Sequence, residues 1–253
     1  MTDQFIHGPS ADKPIRLRPL DELAGSLAQR VYLSLLEVIL SLDIAPGAML
    51  RKGQICEDLG VSRSPVSEAI ARLAMEGVVD VVPQSGSRVS YLSLPEIREG
   101  TFIRQALELA AVERAAEVRT GAQLAELTRN LRFQALLLED LDFPGLFQAD
   151  EAFHALIMEC TGFPRLAQLS ATLSFQVKRA RRLLMPTPGR AAATVREHGL
   201  IVDAIAAGKP EAARRAMQKH LGQLIRRIEP LEHARPELFG EVRADAVGQK
   251  ASA

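Results

Sequence analysis

The sequence predicts a mainly helical protein with two domains, one that combines three helices with a β-hairpin and one built only of helices. Aromatic residues make up 4% of the chain and tryptophan is absent, while the good helix formers alanine, leucine, arginine and glutamate abound. A chain of 253 residues is long enough for one large domain or two small ones. Apolar residues follow helical spacing along most of the chain, and strand-like residues interrupt it at residues 78–92.

The composition also excludes several classes of protein. Hydrophobic residues account for 47% of the chain and charged residues for 25%, which is typical of a globular protein. The two cysteines are too few for a disulfide scaffold and fit a reducing compartment. We see no signal peptide, and the longest apolar stretch, residues 31–45, is too short and too polar to span a bilayer. We therefore expect a cytoplasmic protein that does not contact a membrane.

The first elements of the chain are an arm and two helices. Residues 1–20 are polar and contain three prolines, which predicts a mobile arm. Apolar residues from Leu23 to Leu42 follow helical spacing and predict the first helix. A short second helix is predicted at residues 52–59 and ends at Gly60.

A third helix and a hairpin complete this domain. Pro65 is well placed at the first position of a helix that Ser64 caps and Gly77 ends. Strand-like residues on both sides of a short polar turn predict a β-hairpin. Its first strand, turn and second strand are residues 78–83, 84–87 and 88–92.

The rest of the chain predicts a helical bundle. Ser93 and Glu96 have the spacing of a capping box, which opens a new helix. Helical periodicity then continues to about residue 231, and five breaks divide it into about six helices. The predicted organisation is an arm at residues 1–20, a winged domain at 21–92, a helical domain at 93–232 and a flexible tail at 233–253.

The order of elements in the first domain predicts a winged helix-turn-helix that binds double-stranded DNA. A helix with one polar face fits the major groove, and Arg63 is placed to reach phosphate or a guanine edge. Residues 1–94 carry nine basic and eleven acidic side chains, which argues against strong nonspecific binding. Two copies are needed to read two half-sites, so we expect a homodimer on a pseudo-palindromic operator. The residues predicted to contact DNA are Arg51, Ser62, Arg63, Ser64, Ser67, Gln84, Ser85, Gly86 and Arg88.

These motifs also carry a family resemblance. Residues 59–66, with the sequence Leu-Gly-Val-Ser-Arg-Ser-Pro-Val, and residues 83–86, with Pro-Gln-Ser-Gly, resemble the DNA-binding domain of the GntR family of bacterial transcription regulators. The resemblance runs from about residue 27 to residue 92 and implies a transcription regulator. The family usually has arginine where this chain has Ser67, and that arginine contacts DNA in relatives. The resemblance therefore implies that part of the usual base readout is missing or replaced.

An aspartate and three histidines in the helical region predict a metal site. Asp150 and His154 are four residues apart and share a helix face. His198 and His220 each lie eleven residues from Lys209, in the predicted turn, so an antiparallel hairpin places them at the same height. A single buried histidine is usually an ordinary core residue, but a set of four ligands favours a metal. Three nitrogens and one oxygen suit zinc, nickel, cobalt or iron, and we expect zinc first.

The helical region carries a second resemblance. Asp150 with Phe153-His154, Glu197-His198 and the segment around His220 resemble the FCD ligand-binding domain of FadR-type GntR regulators, over about residues 95–231. The resemblance implies that the four metal positions are filled and that a small organic acid binds beside the metal. Arg104 matches the arginine that, in this domain, helps bind the carboxylate of the acid. The paired N–H groups of arginine can donate two parallel hydrogen bonds to a carboxylate. The basic run at residues 178–182 is usually a solvated face, although one member of it is a further candidate for the pocket.

Three functions are consistent with these residues. The first is a transcription regulator, a repressor, whose affinity for its operator is controlled by a small carboxylate. The second is a metal-dependent enzyme, but the sequence has no His-Glu-x-x-His motif and no nucleophile elbow. An enzymatic function would also not explain why the chain contains a winged helix-turn-helix. The third is a direct metal sensor. We predict the first, a regulator and not an enzyme.

Overall fold

The computed structural model describes residues 17–166, 169 and 175–240. Most of the predicted arm, and residues 241–253 of the predicted tail, lie outside the described residues. The described residues form two compact units. One contains residues 17–94 together with 229–240, and the other contains the described part of residues 95–228. Among the described residues, no helix has the length and apolar character needed to cross a membrane.

The first unit contains three helices and a small sheet. The helices are α1 (Leu27–Leu40), α2 (Lys52–Leu59) and α3 (Arg63–Met75), and the strands are β1 (Met49–Leu50), β2 (Val79–Val82) and β3 (Gly86–Val89). The strands are antiparallel in the order β1-β3-β2. The predicted winged helix-turn-helix is therefore confirmed, and the sheet has one more strand than the predicted hairpin.

Two helices begin elsewhere than the sequence predicts. The first starts at Leu27 because the Ser26 side chain accepts a hydrogen bond from Gln29 N, and residues Leu20–Glu22 form a separate 3-10 turn. The third starts at Arg63 with Ser62 as its N-cap, two residues earlier than predicted. Arg63 therefore lies within the first turn of the helix, at its N-terminal end.

The turn between α2 and α3 depends on a glycine. Gly60 has φ +64°, in the left-handed region, where residues with a Cβ are strained. It ends α2 and allows the chain to turn into α3.

The apolar face of α3, which includes Val66, Ile70 and Leu73, is buried, and Leu35 of α1 is also buried. The opposite face at the start of α3 remains exposed.

The last described residues of the chain belong with the winged unit. Residues Pro236–Leu238 form a 3-10 turn, and Leu238 is buried. The carbonyl of Leu238 accepts a hydrogen bond from the backbone N–H of Leu92 at 2.9 Å. Gly240 lies against the ring of Tyr91, where a Cβ would come within 3.1 Å of the ring. The region predicted as a flexible tail therefore starts with a packed segment, which is too short to have shown a periodic pattern.

Replacing Leu238 with alanine is expected to destabilise the winged unit by about 2–5 kcal/mol, because it removes most of a buried apolar side chain and leaves a cavity. Calorimetric unfolding of the full chain measures the effect. Leu200→Ala removes the same atoms from a side chain that is 57% exposed, and is the matched control. Equal melting temperatures for the Leu238 variant and the control would show that the segment does not stabilise the unit.

The described residues from 94 to 234 are mostly helical, and those from 95 to 228 form the second unit. The helices are α4 (Leu94–Val118), α5 (Gly121–Glu139), α6 (Phe143–Cys160), α7 (Phe175–Leu184), α8 (Arg190–Ala206), α9 (Pro210–Leu221) and α10 (Gln223–Ala234). The predicted all-helical architecture is confirmed. The described residues contain one helix more than predicted, because the chain breaks again at Gly222. The main core joins Val112, Leu127, Phe153, Ile201 and Met217, which come from α4, α5, α6, α8 and α9.

Candidate metal centre and nucleic-acid interface

Four helix positions bring the predicted metal ligands together inside the bundle. Asp150 and His154 lie one turn apart on α6, His198 lies on α8 and His220 on α9, and all four are buried. One ligand atom from each residue lies within 4.8 Å of each of the others. Gly208, with φ +64°, forms the turn that folds α9 back against α8. The turn brings His198 Nε2 to 3.4 Å from His220 Nε2.

Each histidine also contacts a polar side chain through its other nitrogen. His198 Nδ1 lies 2.8 Å from Gln134 Oε1, and His220 Nδ1 lies 2.8 Å from Glu197 Oε2. His154 Nδ1 lies 2.6 Å from Glu108 Oε2, although the angle is not that of a well-formed hydrogen bond. Contacts of this kind fix the orientation of metal-binding imidazoles. All three Nε2 atoms are consequently left for the centre of the cluster.

The donor set fits a transition metal. His154 Nε2 is buried and makes no hydrogen bond with any residue that the structure describes, which is costly unless an ion or water is bound there. Asp150 Oδ1 lies 3.4 Å from His198 Nε2 and 3.9 Å from His154 Nε2. Ligands placed about 2.0–2.1 Å from a tetrahedral zinc lie roughly 3.3 Å apart. Three of the described separations, 3.4, 3.4 and 3.9 Å, are close to this value, and all four ligand atoms lie within 4.8 Å of one another.

The protonation states of the same residues favour binding of a cation. Burial would raise the pKa of the Asp150 carboxyl, but Arg181 and the three neighbouring histidines together outweigh it and hold that pKa below its usual range. Burial lowers the pKa of His154 and of His198 well below the usual histidine value, and Arg104 and His220 respectively add to the effect. The carboxylate is therefore charged and these two imidazoles are neutral at pH 7, which are the forms that bind metal.

Arg181 holds the side of Asp150 that faces away from the histidines. Its Nη2 pairs with Asp150 Oδ2 and its Nη1 pairs with Glu151 Oε1. Because Oδ2 is occupied in this way, Oδ1 is the Asp150 oxygen that faces the imidazoles. The sequence did not show which residue of the basic run 178–182 reaches the pocket. In the structure, Arg181 is the member of that run that lines the cavity beside the metal cluster.

That cavity opens next to the cluster and contains three arginines. Its volume is about 390 Å³, including the solvent at its mouth. Arg104, the predicted carboxylate ligand, lines it and pairs through Nε with the buried Glu108. Its Nη2 is buried and has no hydrogen-bond partner among the described residues. The lining residues are Arg104, Asp150, Arg181, Leu184, Met185, Arg190, Thr194, His220, Leu221 and Leu224.

The residues predicted to contact DNA lie in the winged unit, at the start of α2 and α3 and on the wing. Arg63 is exposed, and Ser67 one turn later is half-buried. Gln84 forms the wing tip with φ +62°. Arg88 is half-buried, pairs with Asp80 at 3.2 Å and stacks on the Tyr91 ring at 4.9 Å, so it is held to the sheet. The exposed members of the set are Arg51, Ser62, Arg63, Ser64, Gln84, Ser85 and Gly86.

Several site residues were missed by sequence reasoning. Glu108, Gln134 and Glu197 contact the three histidines, and Arg190 lines the cavity. Gln134 is a fully buried amide on α5, but only the packed structure shows that it contacts His198. Glu197 directly precedes His198, so helical geometry places it on another face of α8, yet that face meets His220 of α9. Pairings across separate helices leave no spacing signal in the sequence.

Comparison with known proteins gives matches to both parts of the chain. Residues 27–89 match the family described as bacterial regulatory proteins, gntR family, and residues 99–223 match the FCD domain. An HTH-type transcriptional regulator from an unstable DNA locus of Streptomyces ambofaciens is 36% identical over 83% of this chain and 88% of its own length. The HTH-type transcriptional repressor RspR of Escherichia coli is 30% identical over 84% of this chain and 93% of its own. The structure of E. coli McbR/YncC has a TM-score of 0.69 at 26% identity and covers 82% of this chain and 99% of its own.

Proposed function

Because this chain belongs to the gntR family of bacterial regulatory proteins and carries an FCD domain, we propose that it is a repressor whose affinity for its operator is set by a small carboxylate bound beside a metal ion. Its relatives are DNA-binding transcription regulators and not enzymes. The observation that carries the proposal is the cavity in which a cluster of metal ligands adjoins an arginine with an unpartnered buried nitrogen, among the described residues.

Asp150, His154, His198 and His220 would hold the ion. Zinc is the ion we propose, because a buried set of three neutral imidazoles and one carboxylate suits it, and nickel is the next choice. When bound, the ion supplies a fixed positive charge at the inner end of the cavity. Glu108, Gln134 and Glu197 orient the imidazoles, and Arg181 orients Asp150. The protein thus builds a site that attracts one anionic group.

Arg104 is the proposed ligand of the carboxylate. Its Nε is engaged by Glu108, so the side chain is fixed and its free Nη2 is presented in advance. A guanidinium that is already oriented loses little conformational entropy when it binds a carboxylate. A carboxylate between Arg104 and the ion would contact residues from several helices at once. Such a ligand can shift the protein between two arrangements if it binds one of them better.

The winged unit is the proposed operator reader, and two copies related by a two-fold axis are proposed to bind a pseudo-palindrome. Repression is proposed because RspR, a relative over 84% of this chain, is a transcriptional repressor. The carboxylate would then act by weakening the binding of the protein to its operator.

Zinc-loaded protein should melt at a higher temperature with at least one acid from a panel of monocarboxylates, dicarboxylates, hydroxy-acids and sugar acids. A panel that gives no shift would refute the proposed function.

Replacing Arg63 with alanine is expected to weaken specific operator binding by about 1–3 kcal/mol, because Arg63 lies exposed at the N-terminal end of α3. Fluorescence anisotropy at fixed salt, with an operator duplex selected by the protein from a random library, measures the change. Arg129→Ala removes the same charge from an exposed side chain of the helical unit and is the matched control. Unchanged operator affinity in the Arg63 variant would show that α3 does not read the DNA.

A further inference from the structure

The cavity beside the metal cluster offers few unused donors for anionic groups. Arg104 has one, the buried Nη2 that has no hydrogen-bond partner among the described residues. Arg181 has both terminal nitrogens paired with carboxylates, one with Asp150 and one with Glu151. Both terminal nitrogens of Arg181 are therefore already engaged within the protein, whereas the buried Arg104 Nη2 is not engaged by any described residue. Arg181 is therefore part of the wall and positions Asp150.

The third arginine of the cavity is also paired. Arg190 Nη1 lies 3.1 Å from Glu197 Oε2, and the same oxygen contacts His220 Nδ1 at 2.8 Å. A second carboxylate at Arg190 would compete with Glu197 and so disturb the orientation of His220. The nearby Thr194 hydroxyl already donates a hydrogen bond to the Arg190 carbonyl, at 3.0 Å. Arg190 Nη1 and the Thr194 hydroxyl hydrogen are thus already engaged within the protein.

The remaining wall is apolar. Leu184 and Met185 line the cavity from the end of α7, and Leu221 and Leu224 line it from the junction of α9 and α10. These four side chains have no polar atom that could bind a hydroxyl, an amine or a second acid, and each is more than nine-tenths buried. The volume of about 390 Å³ includes open solvent, so the enclosed space is smaller than this and suits only a small ligand.

From this distribution of donors we infer that the cavity selects a short aliphatic monocarboxylate over a dicarboxylate or a polyhydroxylated acid. The inference rests on the proposed function and specifies its ligand. The single carboxylate is bound by Arg104 at the metal end, and the alkyl chain lies against Leu184, Met185, Leu221 and Leu224. A second carboxylate or a row of hydroxyls would have to be desolvated against this apolar wall without a partner, which is unfavourable.

A set of four acids tests the inference. Titration calorimetry with zinc-loaded full-length protein measures the affinities of acetate, butanoate, succinate and threonate at one pH and ionic strength. Butanoate has two methylenes more than acetate, and each buried methylene adds about fourfold in affinity, so roughly 15-fold tighter binding is expected. Succinate and threonate share the four-carbon chain of butanoate and are expected to bind at least about tenfold more weakly. Butanoate binding should be lost in Arg104→Ala and kept in the exposed control Arg129→Ala.

The outcomes separate the two proposals. Tightest binding of butanoate, lost in Arg104→Ala, supports the inference. If succinate or threonate binds as tightly as butanoate, or butanoate no more tightly than acetate, the ligand class is wrong while the proposed carboxylate site stands. If butanoate binds equally to Arg104→Ala, the ligand is held elsewhere and the inference is overturned. If none of the acids binds, the proposed function fails and the inference fails with it.

Discussion

Replacing His198 with alanine is expected to remove nearly all bound metal from the protein. His198 is fully buried, and its Nε2 lies 3.4 Å from Asp150 Oδ1 and from His220 Nε2, at the centre of the cluster. A metal bound only by the native state stabilises it by an amount that grows with the logarithm of the free metal concentration over its Kd, about 4 kcal/mol at a ratio of one thousand. The variant should therefore lose both the metal and the stabilisation that depends on it.

The measurement must separate metal loss from ordinary core damage. The His198 ring stacks on Phe153, with centroids 4.0 Å apart, and its removal leaves Gln134 Oε1 without its contact. The variant will thus be less stable even without metal. The decisive quantity is the drop in melting temperature on adding a chelator, which should be large in wild type and near zero in His198→Ala. The control His233→Ala changes an exposed histidine outside the cluster and should behave as wild type.

Elemental analysis after purification without chelator completes this test. Wild type and His233→Ala should carry one equivalent of metal per chain, and His198→Ala should carry almost none. Wild-type protein that contains no metal, and that gains no stability from added zinc or nickel, would contradict the metal centre.

Replacing Arg104 with alanine is expected to abolish the response of operator binding to the carboxylate. Coupling between two sites is typically about 1–3 kcal/mol, a change of 5–150-fold in affinity, and the variant should lose all of it. The reason is that Arg104 offers the unpartnered donor of the cavity, whereas Arg181 is paired with two acids, among the described residues. Operator affinity with and without a responsive acid, measured by fluorescence anisotropy, gives the coupling directly.

Two further variants make this result specific. Arg104→Lys keeps the positive charge but lacks the planar fork, so it should retain at most a small part of the response. Arg129→Ala removes an exposed arginine and should respond fully. Glu108 contacts both Arg104 and His154, so the metal content of each variant must be shown to equal that of wild type. If Arg104→Ala responds as wild type does, Arg181 becomes the better candidate for the carboxylate ligand.

Much of the fold could be predicted because its signals are local. The helix at Lys52–Leu59 was predicted with its exact bounds, since Gly60 ends it by a property of its own backbone. Features that depend on one hydrogen bond were not predicted, such as the start of α1, which Ser26 fixes. The strand Met49–Leu50 and the segment Pro236–Leu238 are too short to show a period, and tertiary contacts define them.

The candidate site divides in the same way. Spacing along one helix places Asp150 with His154, and distance from one turn places His198 opposite His220. That the two pairs form one site was implied by the resemblance to the FCD domain, and the structure brings the four residues together. The side chains that orient them come from other helices, as Glu108 and Gln134 do. Which member of the basic run faces the cavity depends on the rotation of α7 about its axis. No residue pattern fixes that rotation, and the structure was needed to identify Arg181.

The central claim is that a carboxylate at the metal centre controls operator binding. One measurement tests it most directly: the operator affinity of the protein, zinc-loaded or stripped by a chelator, with and without the acid of the panel that binds most tightly. We expect this acid to weaken operator binding by about 5–150-fold in the zinc-loaded protein and to have no effect on the stripped protein. An unchanged affinity with the acid, together with a change of the same size on adding zinc alone, would contradict the claim and show that the metal itself is the signal.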